Sequence, residues 1–173
     1  KKFGLDLAVA INHFVTDTDN EVKIIQDLCS KLGVKVSLCT QWADGGNGTK
    51  DLANQVVELC KKSDKRKFKH LYSDEISILE KIERIAKEIY RAKDIEVDEN
   101  IKEQIKKIEQ AGFRKFPVCI AKTQYSFSTD PKLKGAPSGH TLSIREIRLS
   151  SGAEFVVVVC GSIMTMPGLP RVP

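Results

Sequence analysis

The sequence LDLAVAINHFVTDTDNEVKIIQDLCSKLGVKVSLCT, which spans Leu5–Thr40, decides the fold. Its first part, Leu5–Ile11, is apolar apart from one aspartate and predicts a buried parallel strand. The Thr18–Glu21 pattern is that of a capping box, and it predicts a helix that ends at Gly33. Val34–Cys39 predicts a second strand. Strand, helix and strand in this order predict a parallel sheet, because a helical crossover returns the chain in the same direction.

Further helices are expected after this sheet. Thr40–Gly48 is rich in glycine and predicts a loop, and Thr49 is the expected cap of a helix that runs to about Lys61. Apolar residues at helical spacing predict two more helices. Ser73 is the expected cap of the first, and the second covers about 98–111 with a glycine as its terminator.

The C-terminal part predicts strands around a long polar loop. The expected elements are a short strand at Pro117–Ala121, a loop at Lys122–His140, strands at Thr141–Leu149 and Phe155–Cys160, and an irregular arm at Met164–Pro173. We therefore expect an α/β fold. A mostly parallel sheet with flanking helices is followed by a helical pair and a smaller β-containing C-terminal region.

Length and composition allow one ordinary domain or two small ones. The chain has 173 residues, of which 41% are hydrophobic and 29% charged, and this mixture excludes a disordered chain. We expect residues 1–70 to form a parallel α/β segment. Residues 71–173 are expected to form the helical pair and an α+β region with a proline-rich tail.

Several sequence features indicate a cytoplasmic protein without a membrane anchor. The five cysteines are an odd number without C-x-x-C spacing, which predicts reduced thiols. The apolar runs are far shorter than the roughly 20 residues of a membrane span, and no secretory leader opens the chain. The chain begins without Met and ends in a run of prolines, so we expect a piece of a longer protein. The net charge of +5 suits an anionic small molecule or a nucleic acid and does not decide between them.

Two expected loops each carry one large aromatic residue, Phe14 in Asn12–Thr18 and Trp42 in Thr40–Gly48. Because ligands bind beyond the carboxyl ends of parallel strands, these rings can face each other across a slot. A planar heterocycle between them would gain apolar burial and roughly 0.5–1.5 kcal/mol per aromatic contact. On the pattern alone, the alternative that each ring only covers the end of the sheet stays open.

Other polar groups give weaker signals. Glycines at 45, 46 and 48 precede a helix start, where backbone N–H groups can bind an anion, but a flexible turn explains them equally well. The G-x-x-x-x-G-K-[ST] phosphate loop appears nowhere in the chain. Lys122–Ser128 offers a cation, hydroxyls, an amide and two rings, which suit either ligand recognition or packing within the loop. The three histidines lack metal-ligand spacing, so no metal site is expected.

Four motifs in order resemble those of the formate–tetrahydrofolate ligases, the 10-formyltetrahydrofolate synthetases. Val9–Thr18 (VAINHFVTDT) is similar to the family's V-A-I-N-x-F-x-T-D-T segment, and Trp42–Gly46 (WADGG) is similar to its W-A-x-G-G loop. Lys122–Ser128 resembles the family's A-K-T-Q-Y-S-F-S stretch, and Met164–Pro170 resembles the near-terminal M-T-M-P-G-L-P motif. The resemblance implies that the chain is the C-terminal portion of a longer ligase subunit.

The resemblance also implies a reaction and a site. ATP, with Mg, phosphorylates formate to formyl phosphate, and N10 of tetrahydrofolate then takes the formyl group. The pterin-like ring of the folate stacks between Phe14 and Trp42, and Leu38 lines the same pocket. Candidate residues of the ligand loops are Thr16, Gly45, Gly46, Lys122 and Gln124. No catalytic residue is assigned.

The phosphate-handling residues are implied to lie upstream of this chain. We therefore expect that the chain alone binds no cofactor tightly and is inactive. The implied partners are tetrahydrofolate, formate and ATP in a cytoplasmic homotetramer, without membrane and without nucleic acid. The sequence departs from the family at Arg91 and Glu154, where glycine is common, and at Arg114-Lys115, which follows Gly112-Phe113 where Gly-Asn is usual. These departures put local turns in doubt.

A second hypothesis assigns the chain to another functional class. The basic run KKSDKRKFKH at Lys61–His70 is expected to be a solvated linker face. In the alternative, it is the surface of a non-catalytic binding or assembly module that takes RNA or an acidic partner. Binding that weakens with salt and ignores folate would distinguish this alternative.

Overall fold

The computed structural model describes residues 2–64 and 67–163, which fall into two compact units divided between His70 and Leu71. The first unit contains two strands and several helical segments. In chain order they are β1 (Ala8–Asn12), α1 (Asp19–Lys31), β2 (Lys35–Cys39), α2 (Gln41–Asp44), a 3-10 turn (Gly45–Thr49) and α3 (Lys50–Lys62). The strands β1 and β2 pair in parallel, with Asn12 opposite Cys39. The predicted strand–helix–strand unit is therefore confirmed.

Helix α1 begins and ends where the sequence predicts. The Thr18 hydroxyl accepts a hydrogen bond from the Glu21 N–H at 3.3 Å, and the Glu21 carboxylate accepts one from the Thr18 N–H at 2.8 Å. These bonds satisfy donors that the first turn would otherwise leave unpaired, and they lower the pKa of Glu21. Gly33 follows the helix with a φ of 61°, a conformation that favours glycine.

The first strand differs from its prediction in bounds and in burial. It starts at Ala8 rather than Leu5, it extends to Asn12, and Ile11 alone among its residues is buried. Two strands and their helices supply too little apolar surface to cover a parallel sheet on both faces. Leu28 of α1 and Leu32, which directly follows this helix, are also exposed.

The glycine-rich segment Thr40–Gly48 is not a loop but a run of two helical turns. Thr49 precedes α3 as predicted, but it does not cap that helix with its side chain. Its hydroxyl instead donates to the Gly46 carbonyl at 3.2 Å. The 3-10 turn places an acceptor next to this hydroxyl, and that local bond replaces the capping bond.

The described end of the basic run Lys61–His70 packs on the start of the chain. The rings of Phe68 and Phe3 are stacked with centroids 6.4 Å apart, and the Lys69 N–H donates to the Phe3 carbonyl at 2.9 Å. A Cβ on Gly4 would lie 1.9 Å from the Lys67 carbonyl oxygen. This part of the run therefore has a packing role within the first unit.

The second unit contains a four-stranded mixed sheet. Its elements are α4 (Ile78–Glu88), β3 (Asp94–Glu96), α5 (Glu99–Ile108) with a π-helical turn (Glu109–Phe113), β4 (Val118–Ala121), β5 (Thr141–Ser150), a 3-10 turn (Ser151–Ala153) and β6 (Phe155–Cys160). The strand order is β3-β5-β6-β4. The β3–β5 and β4–β6 pairs are parallel, and β5–β6 is antiparallel. The expected α/β class is confirmed, whereas β3 was not predicted.

Helix α4 starts one turn later than the sequence indicates. Ser77, not Ser73, caps it, and the Ser77 hydroxyl accepts from the Glu80 N–H at 3.2 Å. Ser73 instead bonds the Glu75 N–H in the preceding turn. The prediction failed because both serines precede apolar residues at helical spacing, and Glu80 completes a capping box only with Ser77.

A fully buried lysine joins α4 to the segment after α5. The Lys81 ammonium donates to the carbonyls of Arg114 at 2.7 Å and Phe116 at 3.1 Å, and it lies 5.8 Å from the centre of the Tyr72 ring. Burial lowers the pKa of Lys81. The Glu109 carboxylate accepts from the Ile78 N–H at 2.7 Å. These three bonds fix α4 against the residues that follow α5. Gly112, the predicted terminator of α5, lies in the π-helical turn with a φ of 94°.

Other predictions for the second unit have mixed outcomes. The segment Lys122–His140 contains no helix and no named strand, as predicted. The strands at Pro117–Ala121 and Thr141–Leu149 are confirmed with bounds shifted by one residue. The predicted arm Met164–Pro173 lies outside the described residues. All five cysteines are free, and no helix in the described part is long and apolar enough to cross a membrane.

Two of the departures from the family pattern fall on left-handed backbone. Arg91 has a φ of 58° and Glu154 a φ of 57°, and they are the two non-glycine residues with positive φ in the described chain. The turns survive the substitution of glycine, since the Glu154 N–H still closes its turn on the Ser151 carbonyl at 3.2 Å. A side chain in this conformation costs roughly 1 kcal/mol or more.

We expect Glu154→Gly to stabilise the second unit by about 0.5–1 kcal/mol. Glycine removes the steric cost of the left-handed conformation, although it adds entropy to the unfolded chain. Urea unfolding followed by circular dichroism measures the change. The control is Glu154→Ala, which removes the same exposed carboxylate but keeps the Cβ. Equal stability of the two variants would contradict the explanation.

Candidate functional site

A tight turn after β1 carries Phe14. The Asp17 N–H donates to the Phe14 carbonyl at 2.9 Å, and the Phe14 N–H donates to the Asp17 carboxylate at 2.8 Å. The two bonds close the turn around Val15 and Thr16, which are both exposed. Phe14 is 47% exposed, so this turn holds an aromatic residue in contact with solvent.

Trp42 lies in the short helix α2, directly after β2. The Thr40 carbonyl accepts from the N–H groups of Ala43 and Asp44, and the Thr40 hydroxyl donates to the Asp44 carboxylate at 2.6 Å. These bonds make the turn that presents Trp42. Trp42 is 76% exposed and is the single tryptophan of the chain.

The structure brings the two rings together. The centroids of Phe14 and Trp42 are 6.3 Å apart, and their planes are inclined by 36°. Carbon atoms in contact are separated by roughly 3.5–4 Å, so a flat ligand between two rings needs a separation of about 7–8 Å. The rings therefore contact each other, and insertion of a ligand would require them to move apart by about 1 Å or more.

One side-chain hydrogen bond joins the segments that carry the rings. The Gln41 amide nitrogen donates to the Asn12 amide oxygen at 2.5 Å, and the His13 N–H donates to the Cys39 carbonyl at 3.1 Å. Asn12 and Gln41 were not predicted as site residues. Each lies within a segment expected to carry a ring, but pairing across 29 positions has no local pattern in the sequence.

The other predicted residues of the first unit lie in the same elements. Leu38 is 40% exposed in β2, where it pairs with Ile11 of β1. Thr16 is exposed at the tip of the Phe14 turn. These positions are near the ring-bearing segments in the chain, but their contact with a ligand stays a prediction.

The glycines after Trp42 have different structural roles. Gly45 has φ 56° and ψ −138°, a conformation that requires glycine. A Cβ on Gly48 would lie 2.6 Å from the Thr40 carbonyl carbon, whereas a Cβ on Gly46 would meet no atom within 4 Å. Gly45 and Gly48 are therefore needed for the turn itself. Gly48 was not among the predicted site residues.

Lys122 of the second unit uses its ammonium within its own loop. The group donates to the Thr123 carbonyl at 3.1 Å and to the Ser126 carbonyl, and it lies 4.7 Å from the centre of the Tyr90 ring. Burial lowers the pKa of Lys122, raises that of Tyr90, and raises the pKa of the Cys160 thiol to about 12. Lys122 therefore shapes the start of the loop.

The loop also forms a cleft of about 490 Å³. Tyr90, Ile120 and the Lys122–Phe127 segment line it together with Gly135 and Ala136. Gln124 is exposed at its wall and also lines a second cleft of about 310 Å³. Its role in ligand binding stays a prediction. Among the described residues, no group of three or more His, Cys, Asp or Glu side chains is placed to hold a metal ion.

A family model described as formate–tetrahydrofolate ligase matches residues 1–173. The chain belongs to this ligase family. It is 64% identical to a formate–tetrahydrofolate ligase of Pelagibacter ubique, 57% to one of Hyphomonas neptunium and 56% to one of Ruegeria pomeroyi. Each comparison covers all 173 residues of this chain and 31% of the relative. The chain thus spans about a third of the length of these ligases, and the resemblance found in its motifs is confirmed.

We expect Gly48→Ala to destabilise the first unit of this ligase fragment by roughly 1–3 kcal/mol, because the added methyl group overlaps the Thr40 backbone. Gly46→Ala is the matched control, and it should change the free energy of unfolding by less than about 0.5 kcal/mol. Trp42 fluorescence during urea unfolding reports on this unit. Equal effects of the two substitutions would show that the close approach at Gly48 is not what requires glycine.

Proposed function

We propose that this chain is the C-terminal part of an ATP-dependent ligase that joins formate to tetrahydrofolate through formyl phosphate. Family membership supports the reaction class. Within that reaction, the chain would supply an aromatic clamp, Phe14 and Trp42, for the flat bicyclic ring of the folate. The observation that carries this assignment is the contact of two exposed aromatic rings at the carboxyl ends of paired parallel strands.

The exposed surface of the ring pair supports the clamp. Trp42 keeps 76% of its surface uncovered within this chain, so its face is accessible to a flat ligand. A folate ring between the two faces would cover that surface. It would also replace one ring–ring contact by two ring–ligand contacts. The free energy gained from these contacts offsets the cost of separating the rings.

The other predicted site residues are proposed to have supporting roles in ligand binding. Leu38 is proposed to add apolar surface at the edge of the clamp, and Thr16 would offer a hydroxyl from the Phe14 turn. Gly45 and Gly46 would let the backbone approach the ligand. In the second unit, Gln124 is proposed to contact the substrate, and Lys122 would act by holding the loop that carries it.

The ATP-dependent step is proposed to need residues beyond this chain. Stabilising the transferred phosphoryl group requires cations and backbone donors that converge on the developing charge. This sequence has no phosphate-loop pattern. We propose that Mg–ATP and formyl phosphate are held by residues upstream of this chain, in a cytoplasmic homotetramer whose partners are small molecules.

Replacing Trp42 tests the clamp. We expect Trp42→Ala to weaken tetrahydrofolate binding by about 1–3 kcal/mol, because burial and one stacking contact are lost. The measurement is calorimetric titration of a chimera in which this chain replaces the matching third of the Pelagibacter ubique ligase. Val15→Ala is the control, since Val15 adjoins Phe14 and is 100% exposed. Unchanged affinity in Trp42→Ala would remove the clamp.

The same chimera tests where the phosphate chemistry resides. We expect the 173-residue chain alone to show no turnover with ATP, formate and tetrahydrofolate, whereas the chimera regains it. The missing cations and donors are the physical reason. A coupled assay of ADP release with and without formate makes the comparison. Formate-dependent turnover by the chain alone would contradict this assignment.

A further inference from the structure

The side chains of Asn12 and Gln41 connect the two halves of the ring pair. Asn12 is the last residue of β1 and lies two positions before Phe14. Gln41 is the first residue of α2 and directly precedes Trp42. Their hydrogen bond, at 2.5 Å between the Gln41 amide nitrogen and the Asn12 amide oxygen, therefore ties both segments within two residues of each ring.

We propose that Asn12 and Gln41 are positioning residues that set the separation of Phe14 and Trp42, and the proposal rests on the aromatic clamp. The backbone bond from the His13 N–H to the Cys39 carbonyl aligns the ends of the strands. It does not reach α2, which carries Trp42. Among the described hydrogen bonds, the Asn12–Gln41 contact is the one side-chain bond between residues 12–18 and residues 40–49.

The environment of Gln41 supports this role. Its side-chain oxygen is shielded from solvent and has no hydrogen-bond partner in the described part of the chain. A shielded polar atom without a partner opposes folding, and an apolar side chain would fill the same space without that cost. What offsets the cost is the bond that the amide nitrogen makes to Asn12.

The bond limits how far the rings separate. A flat ligand needs about 1 Å or more beyond the present 6.3 Å between centroids. With the Asn12–Gln41 bond intact, the two rings can separate by rotation of their side chains while the backbones of the two segments keep their positions. Without it, α2 is tied to the Phe14 turn only through the ends of the strands. The rings are then less ordered in the free site and must be ordered when folate binds, which weakens affinity.

The test is a double-mutant cycle on tetrahydrofolate binding, with Asn12→Ala, Gln41→Ala and the double variant in the chimera. We expect each single substitution to raise the dissociation constant about five- to tenfold, and the double variant to raise it no further than either single one. The two substitutions remove the same bond, so their effects do not add. Gln55→Ala is the matched control, since Gln55 makes a comparable bond to the Asp51 carboxylate on α3. Its dissociation constant should change less than twofold.

A spectroscopic readout separates positioning from general loss of structure. In the 173-residue chain Trp42 is the single tryptophan, so its emission reports the site directly. We expect both single variants to lower the fluorescence anisotropy of Trp42, because the segment that carries it is less restrained, whereas Gln55→Ala does not. Multiplicative losses in the double variant, or unchanged affinity and anisotropy in the single variants, would overturn the proposal. If Trp42→Ala also binds folate normally, the proposed clamp is wrong, and the failure does not bear on the positioning role of the Asn12–Gln41 bond alone.

Discussion

Parallel pairing of β1 with β2 is the constraint on which the candidate site depends. The pairing places Asn12 opposite Cys39, so the chain leaves both strands at the same edge of the sheet. Only there do a turn after one strand and a helix after the next come within reach of each other. The contact of Phe14 with Trp42 follows from this register, because a shift by one residue would turn the side chains of a strand to the other face.

The two units use their polar groups in different ways. In the first, aromatic and amide side chains gather at one exposed edge of a small sheet, and few residues are buried. In the second unit, polar side chains form hydrogen bonds that hold its own loops and helices in place. The ammonium of Lys81 and that of Lys122 each bond two backbone carbonyls and lie near a tyrosine ring. A buried cation is tolerated there because carbonyl oxygens replace its water. The proposed ring clamp accordingly lies in the first unit.

The errors of the sequence predictions have physical causes. The capping box of α1 was predicted because Thr18 and Glu21 make both bonds within four residues. At α4 the predicted cap was Ser73, whereas Ser77 caps the helix, since both serines precede apolar residues at helical spacing. The helical turns over 40–48 were missed because glycine has low intrinsic helix propensity. There the Thr40 carbonyl accepts from two N–H groups and holds the turn against that propensity.

By itself, the sequence determined the α/β class, the ends of α1, and the two aromatic residues whose setting is unusual for packing. These features depend on local bonds and on the spacing of apolar residues, which a sequence displays directly. Only the tertiary structure decided that Asn12 bonds Gln41, that the rings are in contact, and that the Lys122 ammonium donates to carbonyls of its own loop. Each of these is a contact between groups whose distance is set by strand register and chain packing, and no local pattern encodes it.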